Sequence, residues 1–238
     1  AERHGESVRF LGYSGMPPLV GARLAAGEGA REGHRYNDAA VAYILGDPSV
    51  RTVLLAARWA RYVVGPVEDF GAEPAGWGGF GPTLLREGRR PSGEADALDA
   101  FAAHLRETVA RLRAAGRRVV VVGPIPELGV EAPRALALLL ARGQDPAGLV
   151  LPAASFEARQ RGVLAALDAL RDVERVNPHT RLRAGDGYGL LADGRPLYQD
   201  DDHLSLAGAA RVSPAFDAVF AEEPAAIGTE AGRRATRD

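Results

Sequence analysis

The sequence predicts an α/β domain in which helices cover both faces of a parallel sheet, organised as one domain over residues 1–238. Three observations carry this. The apolar runs at Arg118 to Val122 and Thr52 to Ala57 do not alternate with polar residues, the pattern of strands buried on both faces. Segments with helical apolar spacing stand between the runs, and the strand candidates end at Gly- or Pro-rich loops. No linker and no internal repeat divides the chain.

The elements follow in order. Val8 to Leu11 is a short apolar run ending in Gly12-Tyr-Ser-Gly15 and Pro17-Pro18, which reads as a buried strand and a loop. Tyr36 to Leu45 has helical spacing, with Asn37 or Asp38 as caps and Gly46-Asp-Pro48 as the stop. The strand Thr52 to Ala57 carries Arg58-Trp59 at its C-terminal end. Gly65 to Gly93 is rich in Gly and Pro and lacks periodicity, so it makes a long excursion of the kind that is functional or mobile. From Glu94 to Ala115, Leu98, Phe101, Leu105, Val109 and Leu112 recur at steps of three and four, an amphipathic helix that Gly116 ends. Arg118 to Val122 is the clearest strand, closed by Gly123-Pro-Ile-Pro126. Helices are expected at Ala132 to Arg142 and Ala153 to Leu170, and a last strand at Val173 to Val176. Arg183 to Tyr198, with four glycines and Asp193-Gly194, suggests a hairpin or loop. Ser205 then caps a final helix to about Ala221, and the tail after Glu222 is polar.

Composition narrows the function classes. A net charge of -2 and a pI near 6.3 give no electrostatic footprint for nucleic acid or an anionic membrane. All 29 basic residues are arginine, which reports a GC-rich ancestry more than a mechanism. With no cysteine, a disulfide framework, a thiolate nucleophile and Cys-ligated zinc are excluded. The longest apolar stretches fall far short of the roughly 20 residues of a membrane helix. The amino terminus has neither a starting Met nor a signal-peptide pattern, so the chain is expected to begin within a longer protein.

The chemistry-bearing signal is Tyr198-Gln-Asp-Asp-Asp-His-Leu-Ser205. An Asp three residues before a His, on a loop entering a C-terminal helix, can place the carboxylate of Asp200 beside Nδ1 of His203 while Nε2 points into a cleft. That is the orienter and base required by a serine nucleophile. Asp-x-x-His is common by itself. Its place here, after the last strand and before a closing helix, is where such a fold presents its active site.

The segment Tyr198 to Ala209 resembles the last block of SGNH hydrolases, in particular the SGNH domain fused behind multi-span membrane acyltransferases that O-acylate bacterial surface polysaccharides. Gly12-Tyr-Ser-Gly-Met-Pro-Pro-Leu19, Val53-Leu-Leu-Ala-Ala-Arg-Trp59 and Val119-Val-Val-Val-Gly-Pro-Ile-Pro-Glu127 agree in order. The resemblance spans about Val8 to Val219 and implies a flavodoxin-like three-layer fold. It also implies a Ser-His-Asp triad and an extracytoplasmic location. The partners it implies are a carbohydrate acceptor and an N-terminal membrane domain. That membrane domain would use an acyl donor such as acetyl-CoA, and no cofactor is expected in this domain.

Two departures stand out. Met16 replaces a cysteine that many relatives carry before the Pro-Pro pair. More seriously, the family's Gly-Asp-Ser-His block, which bears the nucleophile at the end of the first strand, is missing. Either the first strand lies outside this chain or the chain is a serine-less pseudoenzyme. The first is favoured, because dropping a central strand strands its neighbours' backbone hydrogen bonds.

Ser14 and Gly15 either line the cleft, where a backbone N–H could assist an oxyanion, or merely form a tight turn. Arg58 and Trp59 stand where relatives carry the same Arg-Trp. Arg58 is expected to stabilise an oxyanion or bind a sugar oxygen, and Trp59 to fill the core rather than pack under a sugar. Metal binding by Asp201, Asp202 and His203 is disfavoured, because the other histidines are scattered singly. His104 is expected on the polar side of its helix, at the surface. The functional expectation is acyl transfer to or from a cell-surface carbohydrate, with a simple carbohydrate esterase or a non-catalytic carbohydrate-binding module as alternatives.

Overall fold

The computed structural model describes residues 5–25, 30–67 and 84–221. A helix α1 (Gly33–Gly46) leads into strand β1 (Thr52–Leu55), and a 3-10 turn (Trp59–Tyr62) follows. Next come α2 (Glu94–Ala114), β2 (Arg118–Val122), α3 (Ala132–Ala141), the short strand β3 (Val150–Pro152), α4 (Ala153–Asp168) and β4 (Glu174–Val176). Four more short strands follow: β5 (Arg183–Ala184), β6 (Gly187–Gly189), β7 (Leu191–Ala192) and β8 (Arg195–Pro196). Helices α5 (Leu206–Val212) and α6 (Asp217–Ala221) complete the described chain.

The main sheet is parallel in the order β1-β2-β4, with Val53 opposite Val119 and Val122 opposite Val176. Successive side chains of a strand point to opposite faces, so β2 feeds two layers. Val119 and Val121 face a core filled by Phe101, Leu105 and Leu112 of α2, Val163 and Leu167 of α4, and Trp59. Val120 and Val176 face Val219 of α6, with Phe216 and Phe220 packed beside them. The α/β architecture with a small parallel sheet agrees with the sequence reading. The other edge of β1 has no strand paired with it among the described residues.

Several expectations need correction. Val8 to Leu11 is not a strand: the segment is irregular, with Val8 66% and Phe10 88% exposed. It pairs with no strand among the described residues, and an apolar run without a ladder has nothing to hold it extended. Asn37 does not cap α1, which starts four residues earlier; its side-chain amide instead donates to the Leu19 carbonyl from inside the helix. β1 ends at Leu55, two residues short of the predicted end. The closing helix is broken into α5, a 3-10 turn at Ser213–Phe216 and α6, because Pro214 has no N–H to continue the ladder. Part of the predicted excursion is core: Leu84 is fully buried and bridges Leu24. Residues 68–83 and the polar tail after 221 lie outside the described residues.

His104 is not a surface residue. It is half-buried, with Nδ1 3.2 Å from the Val20 carbonyl oxygen and Nε2 3.1 Å from that of Leu85. The polar face of α2 is covered there by two loop segments, which a helical periodicity cannot foresee.

Arg183 to Tyr198 holds more than a hairpin. β3, β6 and β5 form one antiparallel sheet and β7 and β8 a second. With α3 and α5 they enclose a separate core that includes Leu128, Leu136, Phe156, Tyr188, Leu197 and Tyr198. Two glycines permit its tight contacts. A Cβ at Gly187 would lie 2.3 Å from the Leu151 carbonyl oxygen, and one at Gly208 would lie 2.0 Å from that of Leu197. The second contact lets α5 sit directly against the strand that leads into the Asp-His loop.

Candidate active site

The Asp-His loop is pinned at both ends by backbone. Tyr198 and Leu204 form an antiparallel bridge, the Gln199 N–H donates to the His203 carbonyl at 2.9 Å, and the Ser205 N–H donates to Leu197 at 2.9 Å. From the segment after β2, the N–H groups of Leu128 and Ala132 donate to the carbonyls of Asp201 and Asp200 at 2.8 and 3.3 Å. Ser205 caps α5 as expected: its Oγ accepts from the Gly208 N–H at 3.1 Å and donates to the Pro196 carbonyl at 2.6 Å.

Within this frame Asp200 and His203 meet. One carboxylate oxygen of Asp200 accepts the backbone N–H groups of Asp202 and His203, at 2.9 and 2.6 Å. The other lies 2.8 Å from His203 Nδ1. In the neutral imidazole this bond places the proton on Nδ1 and the lone pair on Nε2. Nε2 makes no hydrogen bond to the described residues, and the side chain is 64% exposed.

His203 opens onto a cleft of about 390 Å³. Ser14, Gly15 and Arg58 line the same cleft, together with the aromatic residues Phe10, Tyr13, Tyr36 and Tyr62. Ser14 and Gly15 lie in a tight turn that also lines the cleft. The Met16 N–H closes a turn onto the Tyr13 carbonyl at 3.0 Å, with Gly15 at φ +70°, and that turn forms part of the cleft wall. Burial pushes the Tyr62 hydroxyl up to about 12, so it remains a neutral hydrogen-bonding group. Trp59 is fully buried; its indole N–H donates to the Val122 carbonyl at 2.8 Å and its ring lies 5.8 Å from that of Phe101. Its side chain therefore belongs to the sheet core rather than the cleft wall.

Arg58 is more committed than the sequence reading allows. Its Nη1 pairs with Asp202 Oδ2, while Nε and Nη2 donate to Glu127 Oε2 at 3.2 and 2.9 Å. Glu127, 4% exposed, also accepts from Arg159 at 3.0 and 3.3 Å and from Gln160 at 3.2 Å. Burial alone would raise the Glu127 carboxyl, but Arg159 and then Arg58 outweigh it and hold the group below its ordinary value. Asp202 is buried too, and its Oδ1 lies 2.6 Å from His203 Nδ1 without hydrogen-bond alignment. The donor atoms of Asp200, Asp202 and His203 fall within 4.8 Å of one another, close enough to hold a cation. Here they are engaged with each other and with a guanidinium.

Sequence reasoning missed Glu127, Arg159, Gln160 and the structural part played by Asp202. Glu127 follows Pro126 at the end of the clearest strand, which places a carboxylate at the C-terminal edge of the sheet and was the available signal. Arg159 and Gln160 lie within a helix with no local mark.

A family model described as the SGNH domain fused to AT3 domains matches residues 1–218. The chain belongs to this family. Among solved structures, the periplasmic domain of a lipopolysaccharide acetyltransferase from Salmonella ser. Paratyphi A is similar, at 14% identity and a TM-score of 0.56. The match covers 87% of this chain and 70% of that one, and it shows a shared fold. No curated protein sequence matches the chain at a significant level. Among the described residues, no helix is long and apolar enough to cross a membrane.

Proposed function

We propose that this SGNH domain supplies the acid-base half of an O-acyl transfer to a bacterial surface carbohydrate. The observation that carries the reading is the Nδ1 of His203 held on Asp200 at 2.8 Å, with His203 lining a cleft and its Nε2 without a hydrogen bond to the described residues. The nucleophile is a serine that this sequence does not contain, on a strand that pairs with β1 along the edge that has no strand among the described residues. Support for that placement comes from the open edge itself and from the cleft lying beyond the C-terminal end of β1, where Ala56, Ala57 and Arg58 line it.

In this mechanism the serine Oγ attacks the acyl carbonyl as its proton passes to His203 Nε2. Asp200 stabilises the imidazolium, and collapse of the tetrahedral intermediate breaks the bond between the acyl carbon and the donor's leaving group, which takes that proton as it departs. A sugar hydroxyl then gives its proton to His203 and attacks the acyl-serine. Regeneration of the serine releases the O-acyl sugar. The aromatic side chains of the cleft offer faces for a sugar ring. An N-terminal membrane domain delivers the acyl group, using a donor such as acetyl-CoA, and this domain works on the extracytoplasmic face without a cofactor.

The test is hydrolysis of an aryl acetate by the native-length protein. His203→Ala should lower the rate at least about a hundredfold. An unchanged rate would remove the assigned base, and a native-length protein without an upstream serine block would favour a carbohydrate-binding module.

A further inference from the structure

We infer that Arg58 and Glu127 are positioning residues that set the charge presented to His203, acting through Asp202. The inference rests on the proposed role of His203 but concerns groups that the triad does not include. His203 Nδ1 faces two carboxylates, Asp200 at 2.8 Å and Asp202 at 2.6 Å. Two uncompensated carboxylates at one imidazole favour its charged form, which cannot accept a proton. The fold compensates one of them. Arg58 takes the second oxygen of Asp202, and its remaining donors go to Glu127, which is itself held by Arg159 and Gln160.

The formal charges make the point. Counting Asp200, Asp202 and Glu127 as three carboxylates and Arg58 and Arg159 as two guanidiniums leaves a formal charge of one negative unit around the ring. Uptake of one proton by His203 balances the cluster. Asp202 and Glu127 are both buried, so these charges are little screened. The direct contacts also give the arrangement a direction: removing Arg58 frees Asp202 toward the imidazole, whereas removing the Glu127 charge leaves Arg58 more fully devoted to Asp202.

Those two changes must therefore move His203 in opposite senses. The experiment is an NMR titration of the His203 ring in the chain described, which needs no nucleophile and no substrate. Arg58→Met should raise the His203 midpoint by about one pH unit, and Glu127→Gln should lower it by about half a unit. A network that served only to hold the loop would move both the same way, as the loop loosens and solvent reaches the ring. Asp202→Asn provides a second arm should Glu127→Gln fail to fold. It should lower the midpoint, and Arg58→Met added to it should cause no further rise. Shifts of one sign, no shifts, or a rise that persists without the Asp202 charge would each overturn the inference. Opposite shifts together with an inactive native-length protein would instead reject the acyl-transfer reading and leave this one standing.

Discussion

On the parallel-sheet side, one face of a 21-residue helix buries Phe101, Leu105 and Leu112 against Val119 and Val121. On the C-terminal side, strands of two or three residues are held by backbone contacts around Gly187 and Gly208. The first region gains stability from buried apolar area, a term without directional requirements. The second depends on a few close approaches, yet it holds the Asp-His loop. The ion-pair chain from Asp202 through Arg58 to Glu127 and Arg159 joins the two, because Arg58 and Glu127 follow sheet strands while Asp202 sits on the loop. Stability and site geometry are thus assigned to different regions, with buried charge coupling them.

Each region can be perturbed by itself. Phe101→Ala should cost about 4 kcal/mol in denaturant unfolding, since it removes a fully buried ring that packs on Trp59. The His203 ring resonances of the folded protein should hardly move. Larger changes at His203 than in the sheet core would show that the two regions are not separable.

Glu127→Gln should destabilise by about 3 kcal/mol, because it leaves two guanidiniums around a buried neutral amide. The same group sets an acid limit. Its folded-state value is held below the ordinary 4.5, so its contribution to stability is present above that pH and is lost as pH falls through the depressed value. Acid unfolding of the wild type below about pH 4.5 should therefore be steeper than that of Glu127→Gln. Parallel acid-unfolding curves would contradict the assignment.

Gly208→Ala is aimed at the other region. The added methyl meets the Leu197 carbonyl oxygen, so α5 must retreat, at a cost of about 2 kcal/mol. Chemical-shift changes should concentrate at Tyr198 to Ser205 and leave β1 and β2 as they are. Ser205→Ala, the smallest effect, should cost about 1 kcal/mol through loss of the cap and should raise hydrogen exchange at Gly208 first.

The same division explains what the sequence made legible. The i, i+3, i+4 spacing of α2 and the unbroken valines of β2 are local patterns, and both elements lie within two residues of their predicted ends. Asp200 and His203 were legible because both lie on one short loop. Glu127, Arg159 and Arg58 come together from three segments that follow β2, lie in α4 and follow β1, so no spacing marks their meeting. Between Arg183 and Tyr198 the glycines and Asp193-Gly194 marked a hairpin or loop but not its individual strands, because a two-residue strand has no period to detect. Val8 to Leu11 misled for the opposite reason: its apolar pattern is that of a strand, but a strand also needs a neighbour to pair with.

Both half-reactions of the proposed transfer need His203 to act as the base for a serine beside β1. Brief exposure of the native-length protein to an aryl acetate, followed by mass mapping of the acetylated peptide, tests this directly. The account predicts acetyl on a serine outside the described residues, and its loss in His203→Ala. Acetyl on Ser14, or labelling that persists without His203, would contradict it.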